Sequence, residues 1–443
     1  MEERYDVVIA GGGPSGLHAA RQLAPNYDVA VLERESEEEY PGPSNKSTAG
    51  TFPGTLGRFQ IKEDWIMNYT DAVTLESPNN HFVRDLPGAV LDFGEFKQGL
   101  ALDAQEKGAD IYFDQSVYEP VDGPGEFYEG VRTAAADQFN ADIIMDATGP
   151  AAALAGHEDV GIADLERDKQ GRALEYEIDG VELNPEMLEE DTSGITDIND
   201  SMMLRLDHDI APGGYSWIFD VGDGRAKVGL CYLTNDQHQK YSDGRRIDEY
   251  LQDWIVDDPR FDYSSTSEIE PDAIHRGSGH IQTGSDQLYR GNLVAIGDTA
   301  PTVDPIWGEG IGIGMISAEK AAETAVENLI PFSKTESMED ITEKDLSNYG
   351  EKWHEEVAPN RTIRYFMTEG MYSCDNERYD TFIGQLNQKS PEQIAELNDG
   401  NPVQVMSLIQ PREDASTVKN AGIKTLREQS EVFRKAEEWL KKD

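Results

Sequence analysis

Cysteine is nearly missing from this chain: Cys231 and Cys374 are the only two in 443 residues. They stand far apart, in no CxxC or metal-ligand spacing, so neither a disulfide framework nor a metal site is implied and packing is their expected role. Long apolar runs are missing too. No stretch approaches the roughly 20 residues that span a bilayer. The N-terminus enters its first expected strand without the charged–apolar–small pattern of a leader. The expectation is a cytoplasmic protein, soluble or peripheral to the inner face of the membrane. The third scarcity is positive charge, with 38 Lys and Arg against 86 Asp and Glu and a formal net charge of −48. No long basic stripe exists to meet phosphates, which argues against nucleic acid as a partner. Self-repulsion of this size opposes a compact state, but at about 1 M salt the screening length falls to about 3 Å. The acid is spread along the whole chain, so the composition reads as one suited to a salt-filled cytoplasm of the haloarchaeal kind.

What the chain does have is a glycine turn in the right surroundings. Tyr5-Asp6-Val7-Val8-Ile9-Ala10 reads as a buried parallel strand, and Gly11-Gly12-Gly13-Pro14-Ser15-Gly16 follows at once. Leu17 to Leu23 reads as a helix and Asp28 to Glu33 as the next strand. This is GxGxxG between strand and helix, with an acid closing the second strand, the arrangement that binds a dinucleotide. Gly11 permits the tight turn, Gly13 lets a pyrophosphate approach the backbone, and Gly16 lets helix and strand pack closely. The free N–H groups at the helix start hold phosphates, and Glu33 is placed to accept hydrogen bonds from an adenosine ribose. A Pro/Gly-rich loop from Arg34 to about Leu56 follows, long enough inside an α/β unit to be functional. Lys46 is the basic residue to watch there.

Two later stretches carry the same flavour. Ala141 to Asp146 reads as a buried strand that ends in Asp146-Ala147-Thr148-Gly149, where small residues let a backbone lie against a flat ligand. Asn292 to Asp298 reads as another, followed by Asp304-Pro305 and by Gly308-Glu309-Gly310-Ile311-Gly312, which opens a helix to about Asn328. Asp298 is suited to accept hydrogen bonds from sugar or ribityl hydroxyls. The helix start at Gly310 to Gly312 can face an electron-rich ring oxygen with its positive end. Between these stretches the texture becomes alternating, as in an antiparallel sheet. In Pro212-Gly213-Gly214-Tyr215-Ser216-Trp217-Ile218-Phe219, period two puts Tyr215, Trp217 and Phe219 on one face, either against a core or as the wall of an apolar tunnel. His275 and His280 are candidate polar pocket groups. The last stretch, Ala415 to Lys442, is nearly charge-balanced and amphipathic, suited to packing on the body or to touching an anionic membrane surface.

The three separated segments resemble the FAD-contacting set of the p-hydroxybenzoate-hydroxylase-like flavoproteins. Within that group, Pro212 to Phe219 resembles the PxxYxWxFP signature of the geranylgeranyl reductases, whose archaeal branch includes the digeranylgeranylglycerophospholipid reductases. The resemblance implies an α/β fold: a Rossmann-like FAD-binding domain at 1–172 that returns at 287–330. It further implies an antiparallel-sheet substrate domain at 173–286 and a helical C-terminal region at 331–443. It implies FAD held by Gly11, Gly13, Pro14, Ser15, Gly16, Glu33, Arg34, Thr148, Gly149, Gly297, Asp298, Pro305, Gly308, Gly310, Ile311 and Gly312. Lys46, Tyr215, Trp217 and Phe219 would meet an isoprenoid lipid substrate whose double bonds are saturated. The proton donor is left among Tyr215, His275 and His280, and electrons would come from an external donor such as a ferredoxin or NAD(P)H. A flavin monooxygenase or halogenase, or a non-catalytic flavin electron-transfer or lipid-binding protein, are the rival readings. Two positions depart from the pattern. The signature's last proline is Asp220, and the loop where many relatives carry Cys-Gly reads Lys46-Ser47-Thr48-Ala49-Gly50.

Overall fold

The fold is that of a computed structural model, which describes residues 4–42, 47–125, 127–163, 165, 169–188, 196–281, 287–304, 306, 308–329, 343–398, 401–409, 414 and 416–425. The chain opens with β1 (Arg4–Ala10), α1 (Pro14–Leu23) and β2 (Val29–Leu32). Next come β3 (Gly50–Thr51), α2 (Pro53–Phe59), β4 (Ile66–Glu76), β5 (His81–Leu91) and α3 (Phe93–Glu106). They are followed by β6 (Asp110–Tyr112), β7 (Val117–Asp122), β8 (Tyr128–Thr133) and β9 (Gln138–Asp146). The middle of the chain holds β10 (Gln170–Asp179), β11 (Ser201–Arg205), β12 (Gly214–Gly222), β13 (Arg225–Leu233), α4 (Asp236–Tyr241), α5 (Ile247–Asp257) and β14 (Ile274–His280). Then follow β15 (Tyr289–Arg290), β16 (Leu293–Ala295) and α6 (Ile311–Asn328). Helices α7 (Glu343–Lys352), α8 (Arg361–Tyr372), α9 (Asn376–Leu386), α10 (Pro391–Asn398) and α11 (Pro402–Leu408) complete the labelled elements.

The first sheet is ordered β15-β16-β9-β1-β2-β6, with the β7–β8 hairpin joined to β9. β1 pairs in parallel with β2 and β9, and β16 with β9. Val7, Val8, Ile9 and Ala10 are each fully buried, as the continuous apolar run of a strand covered on both faces requires. Helices α1, α3 and α6 pack into the same core. The loops after β1, β9 and β16 therefore leave from the carboxyl ends of adjacent parallel strands, where open α/β sheets bind ligands.

The second sheet is ordered β14-β10-β13-β12-β11-β4-β5-β3. Two expectations need correction here. The first is that residues 1–172 belong wholly to the first layer: β3, β4 and β5 leave it and complete the second sheet. The second is that this sheet is antiparallel throughout: β4 pairs with β11 in parallel. The reason is burial: side chains of β4 and β5 find apolar neighbours beside β11, β12 and the C-terminal helices, in clusters such as Leu75 with Ile383 and Leu386 and Val90 with Met202 and Val221. One face of this sheet packs against α5 through Leu174, Ile218, Val228 and Leu230. The other face looks onto the cavity described next.

Candidate functional site

A single cavity of about 1340 Å³ runs from the glycine turn to the far edge of the second sheet. That exceeds the ~300–1,000 Å³ of ordinary ligand pockets, leaving room for a cofactor and a long chain together. At one end it is lined by Gly11, Gly13, Pro14, Ser15, Glu33, Arg34, Thr148, Gly149, Gly297, Asp298, Gly308, Gly310 and Ile311. The three sequence segments thus meet. Gly11, at φ +110, has no room for a Cβ, which would lie 2.4 Å from the Ala147 carbonyl oxygen. Gly13 is the opposite case, since a Cβ there would meet nothing within 4 Å. Space at that position, above a helix start with no side-chain cap, suits a phosphate. Glu33 is 4 % exposed. It accepts hydrogen bonds from the Gly12 N–H at 2.9 Å and the Glu35 N–H at 3.0 Å, and its remaining lone pairs can take ribose hydroxyls. Burial lifts the Asp298 carboxyl above its usual range, against the Thr302 hydroxyl and Arg361. A carboxylate so placed is completed by hydroxyl donors from a sugar or ribityl chain.

Asp146 does different work. Its Oδ1 accepts from the Thr148 N–H and hydroxyl at 2.9 and 2.6 Å, and its Oδ2 from the Leu154 and Ala155 N–H groups at 2.9 and 2.7 Å. It ties the 146–155 loop into shape and leaves Thr148 and Gly149 to face the cavity. Gly16 and Gly312, expected among the cofactor contacts, do not line the cavity. A Cβ on Gly16 would lie 2.1 Å from the Gly11 carbonyl oxygen, and one on Gly312 would meet Glu309 Oε1 at 2.7 Å. Both are packing glycines. Lys46 and Pro305 lie outside the described residues.

The second sheet supplies the other wall. Its register aligns His275, Glu175, Gly229, Trp217, Leu204, Leu75 and Phe82 in one row across seven strands. Six gaps of about 4.8 Å make that row about 29 Å long. Trp217 lies across Gly229 and donates its indole N–H to Glu175 Oε2 at 2.8 Å. A Cβ on Gly229 would sit 2.4 Å from the indole, so glycine is what allows the reach. Glu175 Oε1 faces His275 Nδ1 at 3.2 Å, and both residues are buried. Burial alone would raise Glu175, but His275, Lys227 and Thr48 outweigh it and hold the carboxyl below its usual range. An ionised carboxylate only accepts, so Nδ1 carries the shared hydrogen. His275 Nε2 is buried without a partner, in a side chain that lines the cavity.

His280 does not join it. It lies outside the cavity lining, with burial lowering its pKa. Tyr215 does line the cavity. It stacks on Tyr372 of α8 with ring centres 6.4 Å apart. Burial pushes its phenol well above the usual range, and it shares a hydrogen bond with Cys231, itself pushed up to about 12 by burial. Neither group is ionised near neutrality.

The chain matches several known proteins. A relative from Haloferax volcanii, a digeranylgeranylglycerophospholipid reductase, is 47% identical over 92% of this chain and 96% of its own length. The chain belongs to that reductase family. The geranylgeranyl reductase catalytic domain family matches residues 187–270. A reductase of the same name from Methanosphaera stadtmanae is 27% identical over 84% of the chain and 87% of its own length. Among solved structures, a geranylgeranyl bacteriochlorophyll reductase-like protein from Thermoplasma acidophilum superposes with a TM-score of 0.73 at 21% identity, covering 94% of this chain and 98% of that one. The flavin-dependent brominase Bmp2 superposes at 0.61 and 16% identity, covering 96% and 100%, a likeness of fold alone.

Within this family setting, several residues at the site escaped the sequence reading. Glu175 sits in β10, whose alternation gives no hint of a charged partner. Glu309 was read as part of a glycine turn. Burial and Asp304 push its carboxyl up to about 7, with Arg364 pulling the other way. The C-terminal helices roof the cavity with Phe366, Met367, Phe382, Leu386, Leu397 and Leu408. Only the spread of apolar positions over α8 to α11 could have signalled that. Lys97 is a fourth. It is fully buried beneath the glycine turn, with Nζ 4.6 Å from the ring centre of Tyr40, whose hydroxyl donates to the Gly12 carbonyl at 2.6 Å.

Burial lowers Lys97 from 10.5 to about 8, against the pull of Glu33 and Glu35. Between those two values the unfolded chain holds a proton that the folded chain has released, so stability rises with pH across the window. The span is worth up to about 3 kcal/mol. Urea titrations of wild type and Lys97→Met are expected to diverge there, with wild type gaining on the variant as pH climbs. Parallel pH profiles would remove the assignment.

Proposed function

We propose that this protein is an FAD-dependent reductase that saturates the C=C bonds of geranylgeranyl chains in archaeal membrane-lipid precursors. One observation carries the reading: the glycine turn, the His275–Glu175 pair and a long apolar slot open into the same cavity. The substrate class follows from the names of the relatives and is supported by the apolar wall and roof.

Gly13 and the start of α1 would hold the pyrophosphate, Glu33 with Arg34 the adenosine, and Asp298 the ribityl chain. Thr148, Gly149 and the start of α6 at Gly310 and Ile311 would flank the ring. When bound, the flavin supplies the hydride for one alkene carbon. The other carbon needs a proton, and we assign it to His275 Nε2. Glu175 fixes the imidazole through Nδ1, and Trp217 fixes Glu175 in turn. Tyr215, held neutral and committed to Cys231, shapes the slot with Trp217 and Phe219. The apolar roof excludes water, so the proton delivered is the protein's own. This scheme uses no thiol in the 46–50 loop, and Lys227 anchors that loop from beneath through the Thr48 and Leu91 carbonyl oxygens, both at 3.2 Å.

No second GxGxxG unit stands in the sequence, so reducing power comes from an external donor, a ferredoxin or transiently bound NAD(P)H. The lipid reaches the slot from a membrane to which the protein attaches peripherally. No helix among the described residues is long and apolar enough to cross one. Anaerobic incubation with dithionite and a geranylgeranylated glycerophospholipid tests the reading, with mass spectrometry counting added hydrogen pairs. An unchanged lipid mass beside fully reduced flavin would overturn it.

A further inference from the structure

The face of the second sheet that borders the cavity has a second row beside the one that ends in His275. Its register aligns Phe219, Met202, Val73 and Arg84 on β12, β11, β4 and β5. All four line the cavity. Strand β5 alternates strictly over its first half: His81, Val83 and Asp85 are exposed, while Phe82, Arg84 and Leu86 are half-buried and turned inward. An inward position on such a face normally holds an apolar residue, because the period of two commits the whole set to one side. Arginine breaks that pattern at the end of an apolar row.

Two of the other cavity arginines are paired, Arg364 with Asp304 at 2.5 Å and Arg378 with Asp414 at 2.9 Å. Arg34 belongs to the dinucleotide end, and Arg172 and Arg276, which also line the cavity, sit on β10 and β14 at the other end of the sheet from β5. Arg84 has no ion-pair or hydrogen-bond partner among the described residues. In a chain with 86 carboxylates and 38 cations, a guanidinium left without a carboxylate at a greasy slot suits an anionic ligand. A guanidinium binds phosphate through paired N–H donors, and the low polarity around it strengthens the bond.

We infer that Arg84 anchors the phosphate of the lipid substrate, fixing the polar end of the molecule at β5 while its chain lies along the sheet towards His275. The inference rests on the lipid-reductase reading and names the head-group contact of the same slot. It gives the protein a preference for phosphate-bearing lipids over neutral ones with the same chains.

Equilibrium binding tests it without turnover. Tryptophan emission of the holoprotein is followed in concentrated KCl while a fully saturated diether glycerol phosphate, or the same diether glycerol with a free hydroxyl, is added in neutral detergent. Wild type is expected to bind the phosphate form about tenfold tighter or more. Arg84→Gln is expected to lose most of that preference and to bind the neutral lipid as wild type does, and Arg84→Lys is expected to recover part. Equal weakening of both lipids, equal loss in Arg84→Lys and Arg84→Gln, or no change would overturn the anchor. So would displacement of the lipid by inorganic phosphate alone, which would mark a free-anion site. Equal binding of both lipids by wild type sinks the anchor alone, whereas binding of neither sinks the lipid-slot reading with it.

Discussion

Changing His275 to glutamine is expected to slow alkene reduction by about 10²–10⁴-fold, the usual contribution of a positioned proton donor. Flavin content and lipid affinity should stay near wild type, because glutamine keeps a polar contact to Glu175 and does not enlarge the slot. The loss therefore falls on kcat and leaves KM nearly unmoved. Glu175→Gln should slow the reaction less. Glu175 is a positioning residue, and its removal leaves the protonated imidazole without its carboxylate. The loss in that variant is expected to fall on kcat with KM nearly unmoved, a split that mere loosening of the wall would not produce. Tyr215→Phe serves as the control, with a rate within a few-fold of wild type. A normal rate in His275→Gln together with a collapse in Tyr215→Phe would reverse the assignment.

Gly229→Ala is expected to be a strongly damaging small change in the second sheet. The new methyl would lie 2.4 Å from the Trp217 ring and 2.7 Å from the Leu174 carbonyl oxygen. The ring can swing away, but the backbone cannot. Overpacking and an indole N–H torn from Glu175 together cost about 2–4 kcal/mol. Urea unfolding measures that loss, and near-ultraviolet circular dichroism follows the displaced indole. Pairing the change with Trp217→Phe supplies the decisive comparison. If the ring is what the methyl strikes, the double variant costs clearly less than the sum of the singles. Strict additivity would mean that Trp217 does not lie across position 229.

Much of the cofactor end was legible in the sequence because its physics is local. A turn that needs φ above zero, a helix that starts without a cap and an acid at a strand end all leave marks within a few residues. The facing of Tyr215, Trp217 and Phe219 was legible for the same reason, since period two belongs to the strand itself. Glu175 and Arg84 were not legible. Each looks like an ordinary polar strand residue until the register sets it beside its neighbours. That register depends on β4 meeting β11 in parallel, a pairing between Ala72 and Ser201 that no local pattern records. The roof over the slot was hidden by the same distance, being built from helices that begin at Arg361, well beyond the sheet's last strand at His280.

The excursion of β3 to β5 into the second sheet has a practical corollary for anyone exchanging parts between relatives. The sheet wall of the slot is encoded in two blocks, 50–91 and 170–280, with cofactor-side strands on both flanks of the first block, and the roof in a third, the helices of 361–408. A chimaera that grafts only the later block inherits the donor's Trp217 and His275 but keeps the recipient's Phe82 and Arg84. Its selectivity would then be stitched from two parents, and only a transplant of both sheet blocks together with the roof helices would carry one enzyme's substrate preference whole into another.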